Sequence, residues 1–396
     1  MPGPGCTVGH DMRWIRFALV SVLLAGACTE PPADDGSPSP SVSPSPSESP
    51  SVVPTGARLA DGTPLPAGCL SAVVASQTVA FVADGRAWAL DPDTGELSCL
   101  FPVEDAGPFS WGPQGDRVLL GGFEVRGVGG DAPDLPAIET RFTAFDWGHP
   151  LGLAVAFADG KGSPRKRFVD DGRQIRLDAL PEGRYLHVVY HPSGLALAFV
   201  VDTDEGQEIW LSTNEGEDPQ RLIFSKRGTT FTSLAFSPNG ERLWWTAEHA
   251  GGNPQLHFMN LDTRTGFGTA WRGEEGTVVG GLRLPSKGPL SAVTQGGTCE
   301  EHEAFILDGG ETTIALPDEA RPTEALGWLD RTTLLVSGGG CGETIDLYAV
   351  DARGEDDPVL LALEVEIAAP RTQVVDPPEE VPAPDPDLEP PPDGVG

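Results

Sequence analysis

Apolar residues in this chain come in short runs, and many of the runs are closed by a turn built from Pro, Asn, Ser or Gly. The clearest case is Thr232-Ser233-Leu234-Ala235-Phe236, followed by Ser237-Pro238-Asn239-Gly240 and a second run, Arg242-Leu243-Trp244-Trp245. Proline pre-sets φ and glycine accepts positive φ, so the peptide reads as strand, tight turn, strand. A polar stretch, a third strand over 255–261 and a fourth over 269–271 complete an antiparallel unit of four strands. Trp244 and Trp245 are neighbours on one strand and must point to opposite faces, each available to pack against an adjoining unit.

Weaker copies of this unit recur. They centre on Trp111, Trp147, Tyr190, Phe236, Leu284 and Trp328, with a fainter one near Ala75, and the steps between the six clear centres are 36, 43, 46, 48 and 44 residues. A period of this size with several short strands per repeat is the signature of a propeller, in which no unit can bury its apolar faces alone and stacking closes a ring. The expected fold class is therefore all-β, a β-propeller of four-stranded antiparallel blades over 69–366, with seven blades favoured and six as the alternative.

The strand, Ser-Pro-Asn/Ser-Gly turn, strand pattern resembles TolB-like and WD-repeat-like β-propellers. Glu208-Ile209-Trp210-Leu211 and Leu347-Tyr348-Ala349-Val350-Asp351 stand in the third-strand slot. The copies at Tyr190 and Phe236 match the family pattern closely, whereas those at Trp111, Leu284 and Trp328 depart from it. TolB-like domains usually have six blades, and the resemblance implies an interaction role in the cell envelope.

The two ends read differently. Arg13 and Arg16 precede an apolar run from Phe17 to Val22 and then Leu23-Leu24-Ala25-Gly26-Ala27-Cys28, the layout of a signal peptide over 1–27 with its true start at Met12. The cysteine after Ala-Gly-Ala resembles a bacterial lipobox, with Cys28 carrying the lipid (palmitate); a plain secretory signal would share the same features. A Ser/Pro-rich linker occupies 28–68, and an acidic, Pro-rich tail expected to be disordered occupies 367–396.

Charge and cysteines narrow the partners. With 26 basic and 59 acidic residues the net charge is −33, a field that repels phosphate, so nucleic acid is not an expected partner and membrane attachment falls to the lipid. The local basic group Arg165, Lys166, Arg167, Arg173 and Arg176 reads as a solvated loop and outer strand. Cys69, Cys99, Cys299 and Cys341 form an even set in an exported protein. Cys299 and Cys341 each follow the second strand of neighbouring blades, and Cys69 and Cys99 flank the first, which gives the pairs Cys69–Cys99 and Cys299–Cys341. The Cys299-x-x-His302 spacing lacks a second half for zinc.

No G-x-S-x-G, H-E-x-x-H or P-loop motif occurs, and no catalytic residue, metal site or cofactor is assigned. Asp91-Pro92-Asp93-Thr94-Gly95-Glu96 and Asp202-Thr203-Asp204-Glu205-Gly206 place oxygens at alternate positions as Ca²⁺ loops do, yet read first as hairpin turns. His191 occupies a turn slot and is expected to be structural. The loops after the second strands should share one face, carrying Asp202, Asp204 and Glu205, then Glu248 and His249, then Glu300, Glu301 and His302. The expectation is a monomeric, non-enzymatic, lipid-anchored extracytoplasmic module that binds an envelope protein or a cationic peptide there or in the central channel. The alternative is a propeller acting on or binding cell-wall polysaccharide, which would need acids on inner strands; Leu186–Tyr190 and Ser233–Phe236 carry none.

Overall fold

A computed structural model describes residues 56–371 apart from 68, 70–76, 105–106, 108, 122–123, 129–133, 138–141, 149–151, 153, 160–163, 227, 264–267, 286–287, 289, 297, 309–310, 315, 317–319 and 342–343. Met12, Cys28, the Ser/Pro-rich stretch up to 54 and the tail beyond 371 lie outside the described residues. No helix among the described residues is long and apolar enough to cross a membrane.

Seven antiparallel sheets form seven blades, so the chain is a seven-bladed β-propeller. Blades 3 to 6 each use four strands in chain order. Their inner strands are Phe142–Trp147, Arg184–Tyr190, Thr229–Phe236 and Val279–Arg283. Blade 2 has three strands, with inner strand Ser110–Trp111. Leu135 makes a single bridge to Val125 where a fourth strand would lie.

The ring closes by exchanging its ends. Ile367–Pro370 is the inner strand of blade 1, paired with Val79–Ala83. Arg58–Leu59 adds a fifth, outer strand to blade 7, beside Val359–Val365. The ring thus runs past both of the expected limits, 69 and 366. Neither end strand shows enough alternation to be read: one is two residues long, and the other is four residues abutting a Pro-rich tail. The copy near Ala75 is faint for the same reason, because the first half of its pattern sits some 290 residues downstream at 367–370.

Packing between blades uses the residues at the copy centres. Trp111, Trp147, Tyr190, Phe236 and Trp328 are all buried. The Trp147 ring lies over Gly112, where a Cβ would stand 3.4 Å from it, and Tyr190 lies over Gly148 in the same way. His191 and Phe236 meet edge to face at 5.0 Å. Gly240 has φ +73°, and a Cβ there would come within 2.2 Å of His191 Nε2, so the turn glycine is required both by its conformation and by the neighbouring blade. His191 is structural, as expected: Nε2 bonds to Gly240 O at 3.1 Å, Nδ1 accepts from Ser193 N–H at 3.1 Å, and burial pushes its pKa down. Trp245 packs between blades 4 and 5, while Trp244 faces blade 6.

Both disulfides pair as the cysteine positions predict, Cys69–Cys99 and Cys299–Cys341, with Cα separations of 4.7 and 5.5 Å. The second joins the loops of blades 6 and 7 and spans 42 residues of sequence. A cross-link of that length constrains the unfolded chain by about 2–4 kcal/mol. Replacing Cys299 and Cys341 together by Ser is expected to lower the unfolding free energy by that amount. Urea titration reads it, and an unchanged midpoint would refute it.

Candidate functional site: the central channel

The expected binding residues do share a face. Asp202–Gly206, His249–Gln255 and Gln295–Glu303 all join second to third strands in blades 4, 5 and 6. Most are engaged locally and do not converge on a common point. Asp202 ends its strand opposite Arg184. Asp204 and Glu205 sit in an exposed turn closed by Thr203 Oγ1 donating to Gly206 O at 2.7 Å. His249 Nδ1 bonds Thr229 Oγ1 at 2.9 Å. Glu300 and Glu301 belong to a 3-10 turn, where Glu301 Oε2 accepts from Thr298 N–H at 3.2 Å. His302 O accepts from Thr323 N–H at 2.9 Å. Among the described residues no group of three or more His, Cys, Asp or Glu side chains is arranged to hold a metal.

Glu248 has a structural task that its sequence context does not reveal. Its Oε1 accepts Val279 N–H from the next blade at 2.8 Å, and burial pushes its pKa up against that bond. Gln207 Oε1 accepts Phe231 N–H at 2.6 Å and Thr294 Oγ1 accepts Ala325 N–H at 3.0 Å in the same manner. An inner strand has one edge without a strand partner, and these side chains satisfy its N–H groups where water is excluded. Asp91 is likewise a turn residue, its Oδ1 accepting from Asp93 and Thr94 N–H at 2.9 and 3.1 Å.

The basic group is less solvated than its composition predicts. Lys166 is buried with Nζ 2.7 Å from Glu215 Oε1, and Arg167 is buried and donates to Pro136 O at 2.9 Å. Arg173 and Arg176 remain exposed beside Asp171 and Asp178.

A cavity of about 720 Å³ occupies the channel. Inner strands start on the face of the acidic loops and end at the first hairpin turns, since Thr229 pairs with His249 and Phe236 with Leu243. The cavity is lined mainly by their final residues, among them Tyr190, Phe236 and Trp328, and by the turn prolines Pro192, Pro238 and Pro285. Most of its lining therefore lies toward the end of the channel away from the acidic loops, while Glu324, Ser337 and Ile345 extend it along blade 7 toward the loop face.

Register defines a ring within it. The position before each of the six clear copy centres is Ser110, Asp146, Val189, Ala235, Arg283 or Gly327, its equivalent on the inner strand of blade 1 is Ala369, and all seven line the cavity. Each pairs with the equivalent second-strand residue, as Asp146 with Ala156 and Arg283 with Ala292. The three polar members all reach to the next blade. Ser110 Oγ accepts from Trp147 Nε1 at 3.0 Å, Asp146 Oδ2 accepts Tyr190 N–H at 2.7 Å, and Arg283 Nε donates to Leu326 O at 2.9 Å. Asp146 Oδ1 also accepts Trp147 N–H at 2.9 Å, yet burial outweighs both bonds and pushes its carboxyl up to about 7. Burial pulls Arg283 down while nearby Glu324 pulls it back up.

Inner strands thus do carry acids, Asp146 and Glu324, on blades other than the two inspected in the sequence. The signal was present: each polar ring residue stands one place before a recognisable copy centre, so aligning the copies column by column isolates it.

No protein-family model matches the chain, and no curated protein matches it. Among solved structures it is similar to prolyl endopeptidases, with a TM-score of 0.54 and 10% identity over 75% of this chain and 50% of that chain. It is also similar to oligogalacturonate lyase from Vibrio parahaemolyticus, with a TM-score of 0.51 and 10% identity over 73% and 86%. TolB from Acinetobacter baumannii aligns with a TM-score of 0.45 and 13% identity over 75% and 67%. The chain spans half the length of the endopeptidase it matches. Likeness at these identities concerns the fold alone; the seven sheets and the exchange of end strands make the molecule a seven-bladed β-propeller.

Proposed function

We propose that this propeller is a lipid-anchored, extracytoplasmic binding module of the cell envelope, and that it takes a peptide segment of a partner protein into its central channel. The single observation behind the binding role is the cavity itself. Apolar side chains such as Val189, Ala235, Leu282, Leu326 and Ile367 line it, and a few charged groups interrupt them, the composition expected of a ligand site. Two disulfides support an oxidising compartment. The lipid anchor rests on the Ala-Gly-Ala-Cys28 sequence alone.

A random peptide display library selected on the folded full-length protein tests the channel reading. Enriched sequences should emerge, and Ala235→Trp, which fills the channel, should abolish their binding with little change in melting temperature. No enrichment, or binding indifferent to Ala235→Trp, would remove the reading. Metabolic labelling with a palmitate analogue, lost in Cys28→Ser, tests the anchor.

A second reading, binding or cleavage of wall polysaccharide, is favoured by the channel carboxyls Asp146 and Glu324 and by the rise of Asp146 to about 7, a value suited to general acid-base work. Oligosaccharide array binding lost in Asp146→Asn would promote it over the peptide reading.

A further inference from the structure

Arg283 is a partly enclosed cation whose hydrogen-bonding capacity is only partly used. It ends the inner strand of blade 6 and lines the channel. Nε is committed to Leu326 O, and Nη1 makes a longer bond of 3.3 Å to Leu282 O. Nη2 has no partner among the described residues, and Arg283 forms no ion pair there. Glu324 acts on it only through space. A guanidinium offers five N–H donors in a planar fork matched to carboxylate. The bond to Leu326 O fixes the plane and leaves the Nη2 side without a partner among the described residues. Arg371, the other arginine of the lining, is already occupied, with Nη2 donating to Gln114 O at 2.6 Å and Asp116 acting on it.

We propose that Arg283 is the recognition point of the channel and that it binds a carboxylate of the peptide segment, supplied by an Asp or Glu side chain or by a chain terminus. This rests on the peptide reading above and sharpens it. The net charge of −33 argues against acidic ligands only at long range, because exposed charges are screened beyond about 8 Å at physiological ionic strength. A contact made inside a partly desolvated channel is screened far less, and a bidentate Arg–carboxylate pair is among the strongest of polar contacts. The apolar walls favour a peptide over a sugar, since aliphatic side chains flanking the carboxylate would bury against Leu282, Leu326 and Ile367. An acidic, partly apolar segment therefore replaces the cationic partner that overall charge alone implies.

The test uses the same display library, the full-length protein and three synthetic forms of each enriched peptide: as selected, with its Asp or Glu changed to the amide, and with the C-terminus amidated. Enriched sequences should share a carboxylate at one position. Neutralising it should weaken binding at least tenfold on the wild type and less than twofold on Arg283→Gln, whose melting temperature is checked alongside. Arg283→Lys, which keeps the charge and loses the fork, should fall between the two. The form that responds tells a side chain from a terminus. Peptides that bind in the channel with no carboxylate dependence, or that lose equal affinity on amidation with and without Arg283, would overturn this inference and leave the peptide reading standing. Failure to select any peptide sinks both. Arg283-dependent binding of oligouronides without peptide binding would also sink both, in favour of polysaccharide.

Discussion

A chain ending at Glu366 is expected not to fold to a cooperatively melting ring, while one ending at Arg371 keeps every described contact and melts as the full chain does. The five residues between these ends include the inner strand of blade 1, Ile367–Pro370, in register with Val79–Val82. Arg371 N–H adds a bond to Thr78 O. Each ladder bond contributes roughly 1 kcal/mol net. Their loss also uncovers Ala80 and Val82, which are fully buried, and removes Ala368 from the cluster it shares with Phe81 and Leu335. Roughly 5 kcal/mol or more is removed in total, comparable with the whole stability of an ordinary domain. Blade 7 and blade 2 would moreover face a gap, so the ring could not relax by a local adjustment. Circular dichroism melts of the two truncations measure it. A cooperative transition in the shorter chain, at the temperature of the longer one, would refute the account.

Relative to the wild type, Asp146→Asn should gain stability as pH rises from ~4 to above neutral, by at most ~4 kcal/mol. In the unfolded chain the Asp146 carboxyl titrates near the ordinary value of about 3.9, whereas burial in the folded protein pushes it up to about 7. Below pH ~4 both states hold the proton and the residue contributes no pH dependence. Between ~4 and 7 the unfolded chain has lost the proton and the folded one keeps it, so rising pH favours unfolding across this window. Above 7 both are ionised and the penalty stays constant. Roughly three pKa units at 1.36 kcal/mol each set the upper figure. The amide keeps one oxygen, which can accept Tyr190 N–H but not Trp147 N–H as well, and carries no charge to desolvate. Urea titrations of the two proteins from pH 4 to 8 should diverge through this window and run parallel above it. Curves that stay parallel throughout would show that Asp146 ionises normally.

Blade architecture was legible because each unit repeats the same strand, turn, strand grammar, and seven noisy copies define a phase that no single one would. The phase even reached the disulfides: Cys299 and Cys341 occupy the same slot in adjacent blades, and equivalent slots in a ring are neighbours. It failed at the ends. Arg58–Leu59 and Ile367–Pro370 are too short to show a period, and each finds its partner about 300 residues away.

Site residues divided on a different principle. Loop acids are conspicuous in a sequence because polar residues cluster there, yet Glu248 and Glu301 spend their oxygens on backbone N–H groups. Asp146 and Arg283 are inconspicuous, each a single charge inside an apolar run, and the ring brings them to the channel.

The sequence by itself determined the fold class, the repeat phase, the cysteine pairs and the face on which the loop acids stand, because all of these follow from local turn chemistry and from spacing along the chain. Only the tertiary structure decided how the ring closes, which charges meet the channel and which of them retain unused bonding capacity. Those depend on which backbone edges are left unpaired once seven blades are packed together, and that is a property of the closed ring, absent from any one repeat.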